Sequence, residues 1–228
     1  MKNHVCTSDK KYAMRRWIVR ALAVAAVLCG PATSIQGQAR ATQFNTASNH
    51  ANSVTVGYQN DDCTVITSAY TAAGGGNTLT FSAGPSSPFQ VIRQSEQADC
   101  SITADFPNGT KALAVNTITQ GARAPLTIAF SVPVTQIEFQ AQIFGFGTER
   151  FTFEVFNGEE SLGAFTVEDQ MDYTQTGTRG YIGARASNDE VITKIRIWAD
   201  FVDDSKHNEA VANKFAIGPV SFRTDRDQ

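Results

Sequence analysis

The sequence predicts an all-β fold in which two sheets pack as a sandwich. Three observations carry this. Short runs rich in Val, Ile, Thr and Phe alternate with polar residues at the two-residue period of a half-buried strand. Turn residues separate the runs, as in AGGGN (73–77), AGPSSP (83–88), PNG (107–109) and FNGEE (156–160). No heptad and no convincing amphipathic helical period is present. About a dozen strands would make an unusually wide open sheet, so two packed sheets follow.

Taken in order, the chain opens with a targeting segment. Residues 10–20, KKYAMRRWIVR, are basic, and residues 21–29, ALAVAAVLC, are apolar. A small-residue stretch follows, in which Gly37 with Ala39, and also Ala39 with Ala41, fit the small-x-small rule of a signal-peptidase site. The apolar run is too short for a permanent membrane helix. The expected division is a signal at 1–39, a polar arm at 40–52 and a β-sandwich at 53–228. Met14 could serve as an alternative start. Arg15-Arg16 loosely matches a twin-arginine signal, and a plain Sec signal with a basic head explains the same residues. Leu28 before Cys29 is too large for a lipobox, so no lipid anchor is expected. The protein is expected to be secreted, extracellular or periplasmic.

The strands expected beyond the arm are 53–58, 64–70, 78–83, 89–93, 100–106, 111–117, 125–131, 135–144, 150–157, 160–168, 180–186, 191–201 and 214–222. Asn157-Gly158 between two alternating runs is a tight-hairpin signal. DDSKHNEAVAN (203–213) reads as a longer loop or a single helical turn. Asn108-Gly109-Thr110 is a formal glycosylation sequon and reads more simply as a turn. In the last segment, NKFAIGPVSFR, strict alternation fails between Phe215-Ile217 and Val220-Phe222. A bulge at Gly218-Pro219 would return all four to one side.

Composition excludes some partners. The 228-residue chain has a formal net charge of −3. Its densest basic block lies in the leader, which leaves no basic stripe for phosphates, so nucleic acid is not expected. No later segment is apolar enough to span a membrane. Cys6 and Cys29 leave with the leader, and Cys63 and Cys100 remain as an even pair for an oxidising compartment. If joined, they close a loop worth about 3–4 kcal/mol in the chain-entropy model.

Four C-terminal elements occur together: PLTIAFSVPVTQIEFQAQIF, RFTFEVFNGEESLGAFTVE, GYIGARASNDEVITKIRI and NKFAIGPVSF. Their order resembles the jelly-roll, galactose-binding-like modules of bacterial exported proteins, including those with a PEP-CTERM sorting tail. The resemblance covers about residues 111–223 and implies an antiparallel jelly-roll sandwich. In that family an acidic pair at the last strand's break can hold calcium. Gly218 and Pro219 stand there instead. The chain closes on RTDRDQ without a sorting segment, which by the resemblance implies a released protein.

Candidate chemistry is sparse. His4, His50 and His207 are the only histidines, and no G-x-S-x-G elbow is present. Asp200, Asp203 and Asp204 could offer oxygens to a calcium ion, although acidic loops are usually just solvated. No other cofactor is expected. Glu138 and Glu154 are the carboxylates available for glycoside hydrolysis, a chemistry that depends on their separation. Alternation places Ile137, Phe139, Ala141 and Ile143 on one side of their strand, and Gln136, Glu138, Gln140 and Gln142 on the other. It turns Thr193, Ile195, Ile197 and Ala199 inward, and Lys194, Arg196 and Trp198 outward. Trp198, Arg196, Lys194, Glu138, Gln140 and Glu154 thus offer the groups that recognise a sugar: an aromatic plane and polar partners for hydroxyls. An ordinary solvated sandwich surface would show the same alternation. The expected function is a secreted, non-catalytic module that binds glycan or extracellular matrix. A structural or adhesive envelope protein is the alternative, and a secreted hydrolase the third reading.

Overall fold

A computed structural model describes residues 40–44, 53–61, 63–83, 89–94, 101–102, 106–116, 125–143, 148–170, 181–187, 189–201 and 214–224. The chain divides into two units, Met1–Gln36 and Gly37–Gln228, and all of these residues belong to the second. Every regular element among them is a strand.

Three hydrogen-bonded sheets are present. The first runs β1 (Ala41–Phe44), β14 (Ile182–Ala186), β10 (Gln136–Phe139), β17 (Val220–Arg223), β2 (Val54–Val56). The second runs β11 (Ala141–Ile143), β16 (Lys214–Ile217), β8 (Lys111–Asn116), β6 (Phe89–Gln94), β3 (Val65–Ile66), with β7 (Ser101–Ile102) beside β6. The third runs β13 (Glu160–Gln170), β12 (Thr148–Asn157), β15 (Ile192–Phe201), β9 (Leu126–Val134), β5 (Asn77–Ser82), β4 (Tyr70–Gly74). All pairings are antiparallel except the short β6–β7 contact.

The first two sheets form one layer. Only Gln140 separates β10 from β11, and only Gly218-Pro219 separates β17 from β16. Two strands therefore pass through both sheets. At the crossing, Gly218 N–H donates to Gln140 O at 2.9 Å. Ile217 sits opposite Ala141, and Ser221 opposite Glu138. Phe139 and Gln140 thus face Gly218, Pro219 and Val220, one residue more than a regular ladder holds. This is a β-bulge, and Pro219 has no N–H to lose in it.

The bulge resets the strand's phase. Phe215 meets Phe151 of the third sheet, and Phe222 meets Phe130 of the same sheet, each at a centroid distance of 6.0 Å. Residues 215 and 222 are of opposite parity, so if these same residues ran as a regular ladder one ring would leave the core. On the neighbouring strand, Phe139 meets Phe153 at 6.3 Å with its phase unbroken. Ile137, Ala141, Ile143, Val220 and Ile217 complete this interior. Tyr58 fills the space beside Tyr70 and Phe81 and donates its hydroxyl to Gly218 O at 3.0 Å. Burial pushes its phenol well above the ordinary value, as does the neighbouring Tyr70. Phe106 packs on the same crossing, near Gln140.

The sequence expectations meet three differences. The polar arm is not loose throughout: Ala41–Phe44 pairs residue by residue with β14. Its single buried alanine and short length gave no alternation to read. The expected strand 64–70 is two strands, β3 in the second sheet and the start of β4 in the third, so the chain changes layers there. Thr193 does not take the inward place. A register shift between Ile192 and Lys194 gives that place to Ile192, which is fully buried. The Asn157-Gly158 hairpin forms as expected, with Asn157 opposite Glu160 and Gly158 at φ 61°. The 203–213 segment lies outside the described residues.

Candidate functional site

Each layer has an outer surface, and the sequence-derived ligand residues divide between them. On the third sheet, Arg196 lies opposite Glu154, Trp198 opposite Thr152, and Lys194 opposite Phe156. All three β15 side chains are half-buried and point away from Ile195 and Ile197, as alternation requires. Phe156 is the residue that sequence reasoning passed over. Its ring also points outward, with Lys194 Nζ 5.1 Å and Arg196 Cζ 4.9 Å from its centroid. Lys194 Nζ additionally pairs with Glu159 at 2.6 Å. That hydrogen bond, with the charges of Lys194 and Arg196, holds the Glu159 carboxyl below the ordinary value. These cations therefore have a packing role: their stems and charges cover an aromatic ring that would otherwise meet water. Thr193, displaced by the register shift, donates to Phe156 O at 3.2 Å and accepts from Gly158 N–H at 2.8 Å.

Glu138 and Gln140 are elsewhere. They lie in the first layer and point away from the third sheet, because Phe139 between them points toward it. Glu138 and Glu154 thus face opposite sides of the sandwich and cannot flank one glycosidic bond, so that pairing is corrected. Glu138 and Gln140 do not share a surface with Trp198, Arg196, Lys194 or Glu154. Nor are they solvated. Gln136, Glu138, Gln140 and Gln142 are only 2%, 5%, 6% and 0% exposed. Alternation identified their side of the strand correctly, but it does not report whether that side is open.

The neighbours of this row are also polar. Gln136 lies between Arg185 and Arg223, and Glu138 lies between Gly183 and Ser221. Arg185 donates from Nε and Nη2 to Gln136 Oε1 at 3.1 and 2.9 Å. Ser221 and the exposed Thr55 share a hydrogen bond of 2.7 Å. Arg223 and Ser221 are themselves buried, while Arg185 is half-buried at the border. The half-buried Phe44 ring lies over Gly183, where a Cβ would come within 2.4 Å of it. Only glycine lets that ring settle against the sheet. One surface therefore gathers a carboxylate, three amides, two guanidinium groups, hydroxyls and an aromatic ring.

The remaining candidates stand apart. Asp200 lies on β15 opposite Arg150. Asp203 and Asp204 lie outside the described residues. Among the described residues, no group of three or more His, Cys, Asp or Glu is placed to hold a metal ion. Cys63 has a left-handed backbone (φ 68°) and is disulfide-bonded. Its expected partner, Cys100, lies outside the described residues. No helix among the described residues is long and apolar enough to cross a membrane.

No family model matches the chain, and no curated protein is similar to it in sequence. Solved structures do match. One holds the CBM22-1 and GH10 modules of Clostridium thermocellum endo-1,4-beta-D-xylanase 10B complexed with xylohexaose, at 12% identity and TM-score 0.38. That match covers 65% of this chain and 26% of the other, so the chain spans about a quarter of the length of that two-module chain. A DUF4465 family protein from Bacteroides caccae matches at 9% identity and TM-score 0.40, over 81% of this chain and all of the other (100%). The CBM22-2 xylan-binding domain of a Paenibacillus barcinonensis protein matches at 11% identity and TM-score 0.33, over 63% and 91% of the two chains.

Proposed function

We propose that the protein is an exported, non-catalytic module that binds carbohydrate on the outer surface of its first layer. The carrying observation is the recessed polar row Gln136, Glu138, Gln140 and Gln142, bordered by Arg185, Arg223, Ser221 and Phe44. Polar groups withdrawn from water in this number cost stability against apolar residues of equal volume. The core does not need them, because Ile137, Phe139, Ala141 and Ile143 already fill the opposite side of the same strand. Held by rigid central strands, this row orients the groups at its border, as Gln136 does Arg185, and the half-buried Arg185 and Phe44 with the exposed Thr55 offer a donor, a ring plane and a hydroxyl to a sugar. The cations around Trp198 already have a role in covering Phe156, so that surface takes second place. Export is supported by the three-part leader, and a Cys63–Cys100 bond would fit an oxidising compartment.

The test is a glycan array probed with the exported protein, followed by titration with the best ligand. Saturable binding to one sugar class that weakens in Glu138→Gln supports the proposal. Silence across the array contradicts it and favours a structural or adhesive module.

A further inference from the structure

The leader offers two cleavage frames, Gly37-x-Ala39 and Ala39-x-Ala41; the expected division at residue 39 uses the first, and the folded residues bear on the choice independently. Arg40 is bonded to two other segments. Its Nε donates to Glu190 Oε1 at 2.7 Å, its Nη2 to the same oxygen, and its Nη1 to Glu160 Oε1. Glu190 Oε2 in turn accepts from Asn157 Nδ2 at 3.1 Å. The Arg40 carbonyl accepts from Ser187 N–H at 2.8 Å. One residue thereby joins the start of β1 to the β12–β13 turn and to the segment that leads into β15. Ala41 follows it into the core cluster and forms the first rung of β1 on β14, opposite Ala186. Processing after Ala41 would delete the guanidinium hub and that first rung together. Processing after Ala39 would keep both.

We infer that the leader is removed between Ala39 and Arg40, leaving Arg40 as the N-terminal residue and the anchor of an edge strand. The step is a peptide hydrolysis by an export-associated signal peptidase. Water adds its hydroxyl to the Ala39 carbonyl carbon and a proton to the Arg40 nitrogen as the C–N bond breaks. The anchor matters to the proposed ligand surface, since β1 also carries Phe44 onto Gly183 beside Glu138. The inference rests on the export reading, and its test separates the two.

The full chain is expressed in an exporting bacterium, and the exported protein is analysed by N-terminal sequencing and intact mass. A chain beginning at Arg40 is the expected result. A chain beginning at Thr42, or one exported with its leader uncut, overturns the inference and leaves export standing, whereas a chain retained in the cytoplasm overturns the export reading on which the inference rests. Gly37→Leu alters only the frame that ends at Ala39, so the Arg40 terminus should disappear; an unchanged terminus contradicts the assignment. Arg40→Ala should be cut at the same bond and melt at a lower temperature. An unchanged midpoint would refute the anchoring role.

Discussion

Deleting Pro219 removes the one residue by which this strand exceeds its partner. Its consequence follows from parity. With Pro219 gone, Phe215, Ile217, Val220 and Phe222 fall in strict alternation, and Gly218 and Val220 alone face Phe139 and Gln140. All four apolar side chains then stay in the core on a regular ladder. The loss is confined to the crossing, where the Tyr58 hydroxyl meets the Gly218 carbonyl, and should be about 1–3 kcal/mol. Val220 and Phe222 are 0% and 1% exposed. Expelling that pair would instead lose about 3–5 kcal/mol for the emptied aromatic site and about 1.5–3 kcal/mol for the valine, comparable to the ~5–15 kcal/mol that holds a typical domain together. Urea unfolding followed by tryptophan fluorescence measures it. Gly218→Ala is the control: a Cβ there meets Phe106 Cε1 at 3.6 Å and Gln140 Cβ at 3.7 Å, both ordinary contacts. That variant should stay within about 1 kcal/mol of the parent. A Pro219 deletion that fails to fold, or that loses as much as an expelled core pair, would refute the phase argument.

Other perturbations have definite expected outcomes. Tyr58→Phe leaves the Gly218 carbonyl without its buried hydroxyl donor and should cost about 1–3 kcal/mol in the same unfolding assay. Trp198→Ala removes a half-buried outer residue and should cost less than the ~3–5 kcal/mol of an emptied core aromatic site; a loss in that range would mean the indole is a packing residue. The Glu190 carboxyl is held below its ordinary 4.5 by Asn157 and then Arg40, so its contribution is present above that value and fades as pH falls through the lower folded one. Thermal melts from pH 6 to about pH 3 should therefore show an acid-side decline that is shallower in Arg40→Ala. A thiol assay on unfolded exported protein should find neither Cys63 nor Cys100 free, and replacing both with serine should cost about 3–4 kcal/mol.

Much of the fold was legible in the residues. Alternation placed Ile195, Ile197 and Ala199 inward and Lys194, Arg196 and Trp198 outward, because a strand's period is local. The broken pattern around Gly218-Pro219 announced its own bulge for the same reason. What was not legible depended on which strands become neighbours. Nothing local tells that β10 and β15 belong to different layers, so Glu138 and Trp198 were grouped although they face opposite sides. Nothing local tells that the outward side of β10 is withdrawn from water, so Gln136 to Gln142 read as an outer polar row. Phe156 carried a signal that could have been used: an aromatic residue at an outward position of β12, opposite a lysine, needs a cover.

The central claim is that carbohydrate binds on the surface that the recessed polar row supports. Calorimetric titration of the exported protein with the best glycan on the array tests it directly, with Glu138→Gln and Trp198→Ala run alongside. Glu138→Gln keeps the side-chain volume and removes one charge. The account expects saturable binding by the parent, at least about tenfold weaker binding in Glu138→Gln, a loss of about 1.4 kcal/mol, and binding within about twofold of the parent in Trp198→Ala. Binding that survives Glu138→Gln and disappears in Trp198→Ala, with both variants folded, would place the ligand on the opposite surface and contradict the account.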